Sequence, residues 1–291
     1  MFVSGFTFVR NAVKLDYPIV EAISSILPLC DEIVVAVGNS EDNTRELITS
    51  INDPKIRIID TVWDDSLREG GRVLAIETDK AFKAINPKAT WAFYIQADEV
   101  LHEKYYDEIV NKMNFYKDRP DIDGLLFGYK HFYGNYDYIG ESFRWYRNEI
   151  RIIRNDPSIY SYRDAQGFRK GNNQKLRVAK INAEIYHYGW VKHPKKQAIK
   201  RSEFNKLYHN DEWLAKNLKP IEEFDYSNID ALELFDGTHP KVMLKRIAEK
   251  NWNFQYNTKI KRYSTKEKIR RIYYRFTKKI LGEYRNYILI E

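Results

Sequence analysis

Four short apolar runs, each closed by polar residues, dominate the first hundred residues: SGFTFV at 4–9, IVVAV at 33–37, KIRIID at 55–60 and WAFYI at 91–95. They read as strands, and the segments between them carry helical spacing. Ile19, Ala22, Ile23 and Ile26 repeat at three and four residues up to Pro28. Asp16 is the expected N-cap of that helix, with Pro18 tolerated in its first turn. Ser40 or Asp42 can cap a second helix running to Ile51, and Val73, Ile76, Lys80 and Ala84 share one face of a third over 72–85. Strands that are apolar at every position need burial on both sides, so the alternation predicts a parallel sheet with helices on both faces. Ligands of such sheets sit outside the carboxyl ends of the strands. Those ends read Arg10-Asn11, Gly38-Asn39-Ser40, Asp60 to Asp64 and Gln96 to Glu99, all polar.

After residue 100 the pattern changes. Tyr105–Tyr116 has helical spacing. Strand-like runs follow at 124–133 (GLLFGYKHFY), 149–154 (EIRIIR) and 183–190 (AEIYHYGW), separated by polar, aromatic-rich loops. These read as antiparallel or mixed additions to the sheet. Residues 197–217 and 240–256 read as helical. Ser264-Thr265-Lys266-Glu267 has the form of a capping box, followed by Ile269, Ile272, Tyr273, Phe276 and Ile280 at helical spacing. The fold class expected is α/β, a Rossmann-like mixed sheet with helices on both faces and a C-terminal helical extension.

The 291 residues suffice for a sizeable core, and no apolar run approaches the ~20 residues that span a bilayer. The N-terminal MFVSGFTFVRNA lacks the basic and apolar regions of a signal peptide. The single cysteine, Cys30, excludes an intrachain disulfide, fits a reducing compartment and reads as a small buried hydrophobe, so a cytoplasmic location is expected. The net charge is +7, yet residues 259–279 alone hold ten Lys/Arg and one Glu, which leaves the rest of the chain at −2. That basic segment has three readings: a solvated face packed on the body, a contact with the anionic inner face of a membrane, or a nucleic-acid site. Its short, tyrosine-rich apolar stripe favours packing. The negative balance of the body argues against nucleic acid.

Asp98 and Glu99 close the fourth strand without a neighbouring Lys or Arg. A carboxylate there suits Mg²⁺ or Mn²⁺ holding substrate phosphates. It equally suits an N-cap for a helix near Leu101–Val110, and both readings stand. His187 is a candidate second metal ligand or a half-buried strand histidine. Gly70-Gly71, ahead of Arg72, permits close backbone approach to a ligand at a helix start, or merely shapes a loop.

The ordered set FVRNA at 8–12, VGNSEDNT at 37–44, YIQADEV at 94–100, RIIRN at 151–155 and IYHYGWV at 185–191 resembles the family 2 glycosyltransferases of GT-A fold, over about residues 2–195. The resemblance implies a GT-A-like catalytic domain over 1–240, with a nucleotide-binding half (1–100), an acceptor half (101–240) and a basic helical extension at 241–291. It implies a nucleoside-diphosphate sugar donor, UDP- or GDP-linked, a divalent Mn²⁺ or Mg²⁺, and a carbohydrate or lipid-linked acceptor. Asp98 matches the family's metal-binding position, with His187 as its partner. Gln96 stands where an acidic residue usually precedes it, and its amide can still bond a ribose hydroxyl. Asn39 is the nearest polar residue where an acid often reads the base, and Arg10, Asn11 and Arg72 are candidates to meet the nucleotide.

Inverting transfer needs a base for the acceptor hydroxyl. Asp164, in Tyr162-Arg163-Asp164-Ala165-Gln166, is the candidate, with Asp137 and Glu141 as rivals and a surface pair with Arg163 or Arg169 as the plainer reading. Among the aromatics at 129–146 and Trp190, one or two rings are expected against a sugar face. Two other readings remain open: a nucleotide-sugar-binding module without catalysis, favoured by Gln96 and Val37, and a nucleic-acid-binding protein using the basic segment.

Overall fold

The computed structural model describes residues 1–290. Its first half alternates as expected: β1 (Val3–Val9), α1 (Ile19–Ile26), β2 (Glu32–Gly38), α2 (Thr44–Thr49), β3 (Ile56–Thr61), α3 (Arg72–Lys83) and β4 (Trp91–Tyr94). β1 lies parallel to both β2 and β4, and β2 parallel to β3, giving the order β3-β2-β1-β4. Ile33, Val35 and Val37 of β2 join the core that contains Ile19, Ala22, Ile23 and Ile26 of α1. Val34 and Ala36 join the opposite core, with Val73, Leu74 and Phe82 of α3. This two-sided burial is why the strand shows no polar alternation. The chain moves outward from β1 to β3 and then returns to set β4 on the other flank of β1. A crevice therefore opens between the carboxyl ends of β1 and β4.

The second half comprises β5 (Glu99–Leu101), α4 (Tyr106–Tyr116), β6 (Gly124–Tyr133), β7 (Tyr138–Gly140), β8 (Asn148–Arg154), β9 (Ile159–Tyr162), β10 (Gly167–Lys170), β11 (Gln174–Trp190), α5 (Pro194–Lys206), α6 (Asp211–Asn217), β12 (Leu232–Leu234), α7 (Leu244–Ala248), α8 (Thr265–Thr277) and β13 (Tyr287–Leu289). The sheet continues from β4 through β8, β6 and β11 to β10 and β9. β8 is antiparallel to both neighbours, whereas β6 and β11 are parallel, so the sheet is mixed and the fold is Rossmann-like, of GT-A type. The hairpin of β9 and β10 has no counterpart in the sequence reading, and β11 starts at Gln174, ahead of the expected Ala183.

Several local expectations are corrected. Asp16 does not cap α1: it has φ of 52° and pairs with Arg246 at 2.6 Å, and α1 starts at Ile19 without a side-chain cap. Asp98 does not cap a helix either. The next residues form β5, and His102 caps the following turn by accepting from Lys104 N at 3.2 Å. The C-terminal extension is tied back to the body, since β13 adds in parallel to β11.

Ser264 caps the last helix, its hydroxyl accepting from Glu267 N at 3.2 Å, while the Glu267 carboxylate turns to the body instead of closing the box. The packing of this helix is the reverse of that expected. α8 meets the body through polar contacts, Glu267 to Phe143 N at 2.9 Å and Arg271 to Glu141 at 2.7 Å. Its apolar stripe faces solvent, with Phe276 81%, Ile272 61% and Ile269 52% exposed. Among the described residues no helix is long and apolar enough to cross a membrane.

Candidate active site

A cavity of about 860 Å³ occupies the crevice. Arg10 and Asn11 reach it from the end of β1 and Gln96 and Asp98 from the end of β4. The second half adds Glu149 and Arg151 from β8, Asp164 from the β9–β10 loop, His187 and Trp190 from β11, and Lys200 from α5. The site thus lies where the parallel half meets the added half.

Strand pairing brings Asp98 and His187 together. β5 runs antiparallel to β11 with Glu99 opposite His187, and Tyr188 N donates to Asp98 O at 2.8 Å. The register of β11 against β6 breaks between His187 and Trp190, a bulge of the kind that re-aims side chains at sites. Gly189 lies in that break. A Cβ there would come within 2.6 Å of His187 Nε2 and 2.7 Å of Asp98 Oδ2, so no larger residue fits.

A hydrogen-bond relay fixes the imidazole. His131 Nε2 lies 2.7 Å from the carbonyl of Tyr146, which can only accept, so that nitrogen carries the proton. His131 Nδ1 then accepts from His187 Nδ1–H at 3.1 Å, and the Nε2 of His187 keeps its lone pair. Burial lowers both imidazoles, His131 to about 3, so both are neutral at pH 7.

The other partner of Asp98 is an ammonium. Lys200 Nζ donates to Asp98 Oδ2 at 2.9 Å and to the carbonyl of Gly189 at 2.9 Å, and lies 4.9 Å from the ring centre of Tyr17. Burial by itself would push the Asp98 carboxyl up. The Lys200 charge and its hydrogen bond outweigh it and hold the group well below the usual carboxylate range. A second buried lysine, Lys192, donates to the carbonyl of Asp16 and shares the Tyr17 ring; burial and the Lys200 charge lower it to about 7.

These residues do not fit the divalent ion that the family resemblance implies. His187 Nε2 lies 3.8 Å from Asp98 Oδ2, a separation that two ligands of one ion can have, but the Lys200 ammonium already holds that oxygen and places its own positive charge where the ion would sit. Among the described residues no group of three or more His, Cys, Asp or Glu is placed to hold a metal.

Glu99 turns away from this cluster. It forms a two-pronged pair with Arg151, Nε at 2.8 Å and Nη2 at 2.7 Å, and accepts from Tyr129 OH at 2.7 Å and Gln96 N at 3.1 Å. The pair is buried, 1% and 0% exposed at Arg151 and Glu99. Two residues before Arg151 on β8, Glu149 is also buried, and its Oε2 lacks a hydrogen-bond partner. Burial raises its carboxyl to about 8, with Arg151 opposing and Glu99 and Asp164 adding to the rise.

Of the residues singled out in the sequence, Arg10, Asn11, Gln96, Asp98, Asp164 and His187 share the cavity. Arg10 spans the rim, bonding the carbonyl of Asn39 at 3.1 Å and Asp65 at 2.5 Å. Asn11, at φ of 56°, accepts from Glu41 N at 2.8 Å, so its amide shapes the loop it borders. Gln96 donates to Ala165 O at 3.2 Å and Tyr94 OH at 3.3 Å. Asp164 accepts from Tyr208 OH at 2.7 Å. Asn39 and Arg72 do not line the cavity. Asn39 accepts from Trp63 N at 3.1 Å, fastening the β2 and β3 loops, and Arg72 is exposed at the start of α3. Gly71, at φ of 69°, admits protein and not ligand: a Cβ there would meet Tyr208 at 2.7 Å and Asp164 at 2.8 Å.

Sequence reasoning missed Lys200, Lys192, Glu149, Tyr208 and the role of Arg151. EIRIIR carried a usable signal, two charges two residues apart within a buried strand. Lys200 carried none, being one lysine among several in PKKQAIKR.

No family model matches the chain, and no curated protein matches it. Among solved structures it is similar to Staphylococcus aureus TarS 1–349 in complex with UDP, at 19% identity over 46% of this chain and 37% of that one, with a TM-score of 0.34. It is similar also to 4-diphosphocytidyl-2C-methyl-D-erythritol synthase of Anaerococcus prevotii, at 10% identity over 53% and 70%, TM-score 0.34. A third is glucosyl-3-phosphoglycerate synthase from Mycobacterium tuberculosis in complex with Mn²⁺, UDP and phosphoglyceric acid, at 20% identity over 45% and 43%, TM-score 0.30. The chain spans less than half the length of the first and third.

Proposed function

We propose that this protein moves a sugar from a nucleoside-diphosphate sugar, UDP- or GDP-linked, to a hydroxyl of a glycan or lipid-linked acceptor, with inversion. One observation carries the reading. The cavity at the β1/β4 switch point holds a cation, Lys200, at the strand ends where a nucleotide's phosphates belong, and a carboxylate, Asp164, on a separate loop of the second half. Its volume suits a ligand of that size.

In the reaction the acceptor oxygen attacks the anomeric carbon on the face opposite the diphosphate. The new C–O bond forms as the bond to the diphosphate oxygen breaks, and its electron pair leaves with the nucleoside diphosphate. The hydroxyl proton passes to Asp164, which Tyr208 OH holds in place. Arg10, Asn11 and Gln96 border the nucleotide side. Tyr133, Tyr146 and Trp190 line the same cavity and offer ring faces to the sugar's C–H surface. The test is donor hydrolysis and transfer assayed with UDP- and GDP-sugars, comparing wild type with Asp164→Asn. The variant should lose roughly 10²–10⁴-fold in kcat with donor affinity retained. A variant with near-normal kcat removes Asp164 from the role.

A binding module without catalysis remains the second reading, because the Gln96 amide is already committed to Ala165 and Tyr94. Tight nucleotide binding with neither hydrolysis nor transfer would establish it.

The protein also docks peripherally on an anionic membrane through α8 in this proposal. The outward Ile269, Ile272 and Phe276, flanked by Lys266, Lys268, Arg275 and Lys278, support it. Full-length protein should co-sediment with vesicles containing phosphatidylserine and not with phosphatidylcholine alone. Ile272→Asp/Phe276→Asp should weaken this at least about tenfold, since both side chains lose their apolar burial. Equal sedimentation of the variant, or none of the wild type, refutes the docking.

A further inference from the structure

We propose that Lys200 is the resident cation of this site, taking the place of a divalent metal at the diphosphate, so that nucleotide binding and transfer proceed without one. The inference rests on the glycosyltransferase reading for its ligand, but its geometry stands apart from it.

An ammonium has three N–H donors. Two of those of Lys200 are fixed, one on Asp98 Oδ2 and one on the carbonyl of Gly189, with the centre of the Tyr17 ring 4.9 Å from the ammonium. The third is left for a ligand, and the side chain keeps 12% exposure toward the cavity it lines. A lysine recognises phosphate as a point charge, with no demand on the geometry of the oxygens.

The surroundings are built for this cation. α5 turns a polar face inward, with Gln197, Lys200 and Arg201 lining the cavity at helical spacing. Most other charges around the cavity are spent on each other: Arg10 on Asp65, Arg68 on Asp211 and Arg151 on Glu99. Asp98 then acts as a positioning residue, holding the ammonium at the strand end. His187 offers a lone pair to the same pocket without a charge.

During transfer Lys200 forms no covalent bond and gives up no proton. Its free N–H hydrogen-bonds the diphosphate oxygen that gains the electron pair from the breaking anomeric bond. The departing nucleoside diphosphate meets a charge already in place.

Two measurements separate this inference from the reading beneath it. The first titrates Mn²⁺ alone into the ligand-free protein by calorimetry. Wild type should bind none at this site, while Lys200→Ala should bind one ion, because Asp98 Oδ2 is then released to it beside the free lone pair of His187 Nε2. Stoichiometric Mn²⁺ binding to wild type that Asp98→Asn abolishes overturns the inference whatever the nucleotide result. The second titrates UDP and GDP in EDTA and in Mn²⁺. Wild-type affinity for whichever nucleotide binds should be the same in both. Lys200→Met should lose about ten- to a hundredfold, as expected for one charged hydrogen bond. Lys200→Arg should retain most of the affinity. Because Lys200→Met leaves Asp98 unpaired, Lys200→Met/Asp98→Asn serves as the folded control and should show the same loss. EDTA-sensitive binding, or full affinity in both Lys200→Met backgrounds, refutes the role of Lys200. No binding of either nucleotide under any condition sinks the glycosyltransferase reading itself.

Discussion

Arg151→Met tests whether the buried pair with Glu99 holds the two halves of the sheet together. The pair joins β8 to β5, it is almost fully buried, and the guanidinium lies between the rings of Tyr94 and Tyr129 at 5.1 and 5.3 Å. Methionine can fill much of that space, so the principal loss is charge compensation. Removing one partner of a buried pair costs about 3–5 kcal/mol because the other charge is left uncompensated. Glu99 has an escape, which is to take up a proton. From an ordinary pKa of about 4.3, that costs at most about 4 kcal/mol at pH 7 and about 1 kcal/mol at pH 5. In the variant the folded pKa of Glu99 is therefore raised above its unfolded value. The stability of the variant is greatest below the unfolded value and is lost as pH rises, by up to about 1.4 kcal/mol per unit. Urea denaturation followed by circular dichroism at pH 5, 6 and 7 should show this slope. Arg151→Met/Glu99→Gln, with nothing left to ionise at position 99, should lack the slope and regain most of the loss at pH 7, with Tyr129 OH still able to donate to the amide oxygen. If the single variant is equally stable at pH 5 and pH 7, or the double variant is no better than the single, the uncompensated charge is not what the mutation exposes.

Glu149→Gln should behave in the opposite sense. The folded carboxyl is raised to about 8, so the wild type holds a proton that its unfolded chain gives up above the usual carboxylate range, and it loses stability as pH rises toward 8. The amide variant is spared this and should gain on wild type by about 1.4 kcal/mol per pH unit across that window, read as diverging urea midpoints between pH 5 and 8; parallel midpoints refute the burial argument. Gly189→Ala should disturb His187 and Asp98 together, since the added methyl overlaps both. Loss of nucleotide affinity with a melting temperature lowered by several degrees is expected, and unchanged binding would show that the bulge does not set the site.

How much of this was legible in the sequence depends on where each residue's partner lies. The parallel half could be read because its signal is local: an apolar strand needs only its own neighbours to declare burial on both faces, and β1 to β4 were located within about a residue or two. The apolar positions of α1 announced the core for the same reason, whereas of the α3 face read at Val73, Ile76, Lys80 and Ala84 only Val73 is buried, and the helix packs through Leu74, Thr78, Ala81 and Phe82 as well. The β9–β10 hairpin carries no such run, and its turn is made by Arg163 and Ala165 at positive φ, residues that give no turn signal. The adjacent carboxylates show the limit most clearly. Asp98 and Glu99 invited one explanation because they are neighbours in the chain, but Asp98 ends the turn closed by Glu99 N on Gln96 O at 3.0 Å and Glu99 opens β5, so their side chains part. Glu99 finds Arg151 on β8, and Asp98 finds Lys200 on α5. Two positive partners were there to be found, from different elements and for different purposes, one closing the sheet and the other facing the cavity. The stripe of α8 misled for a related reason. Periodicity shows that apolar residues share a face, but the direction of that face is set by what lies behind the helix, and here Glu141 and Phe143 draw its charged side inward. A pattern within one element thus predicts the element well. Its orientation and its chemistry are decided by residues a hundred positions away.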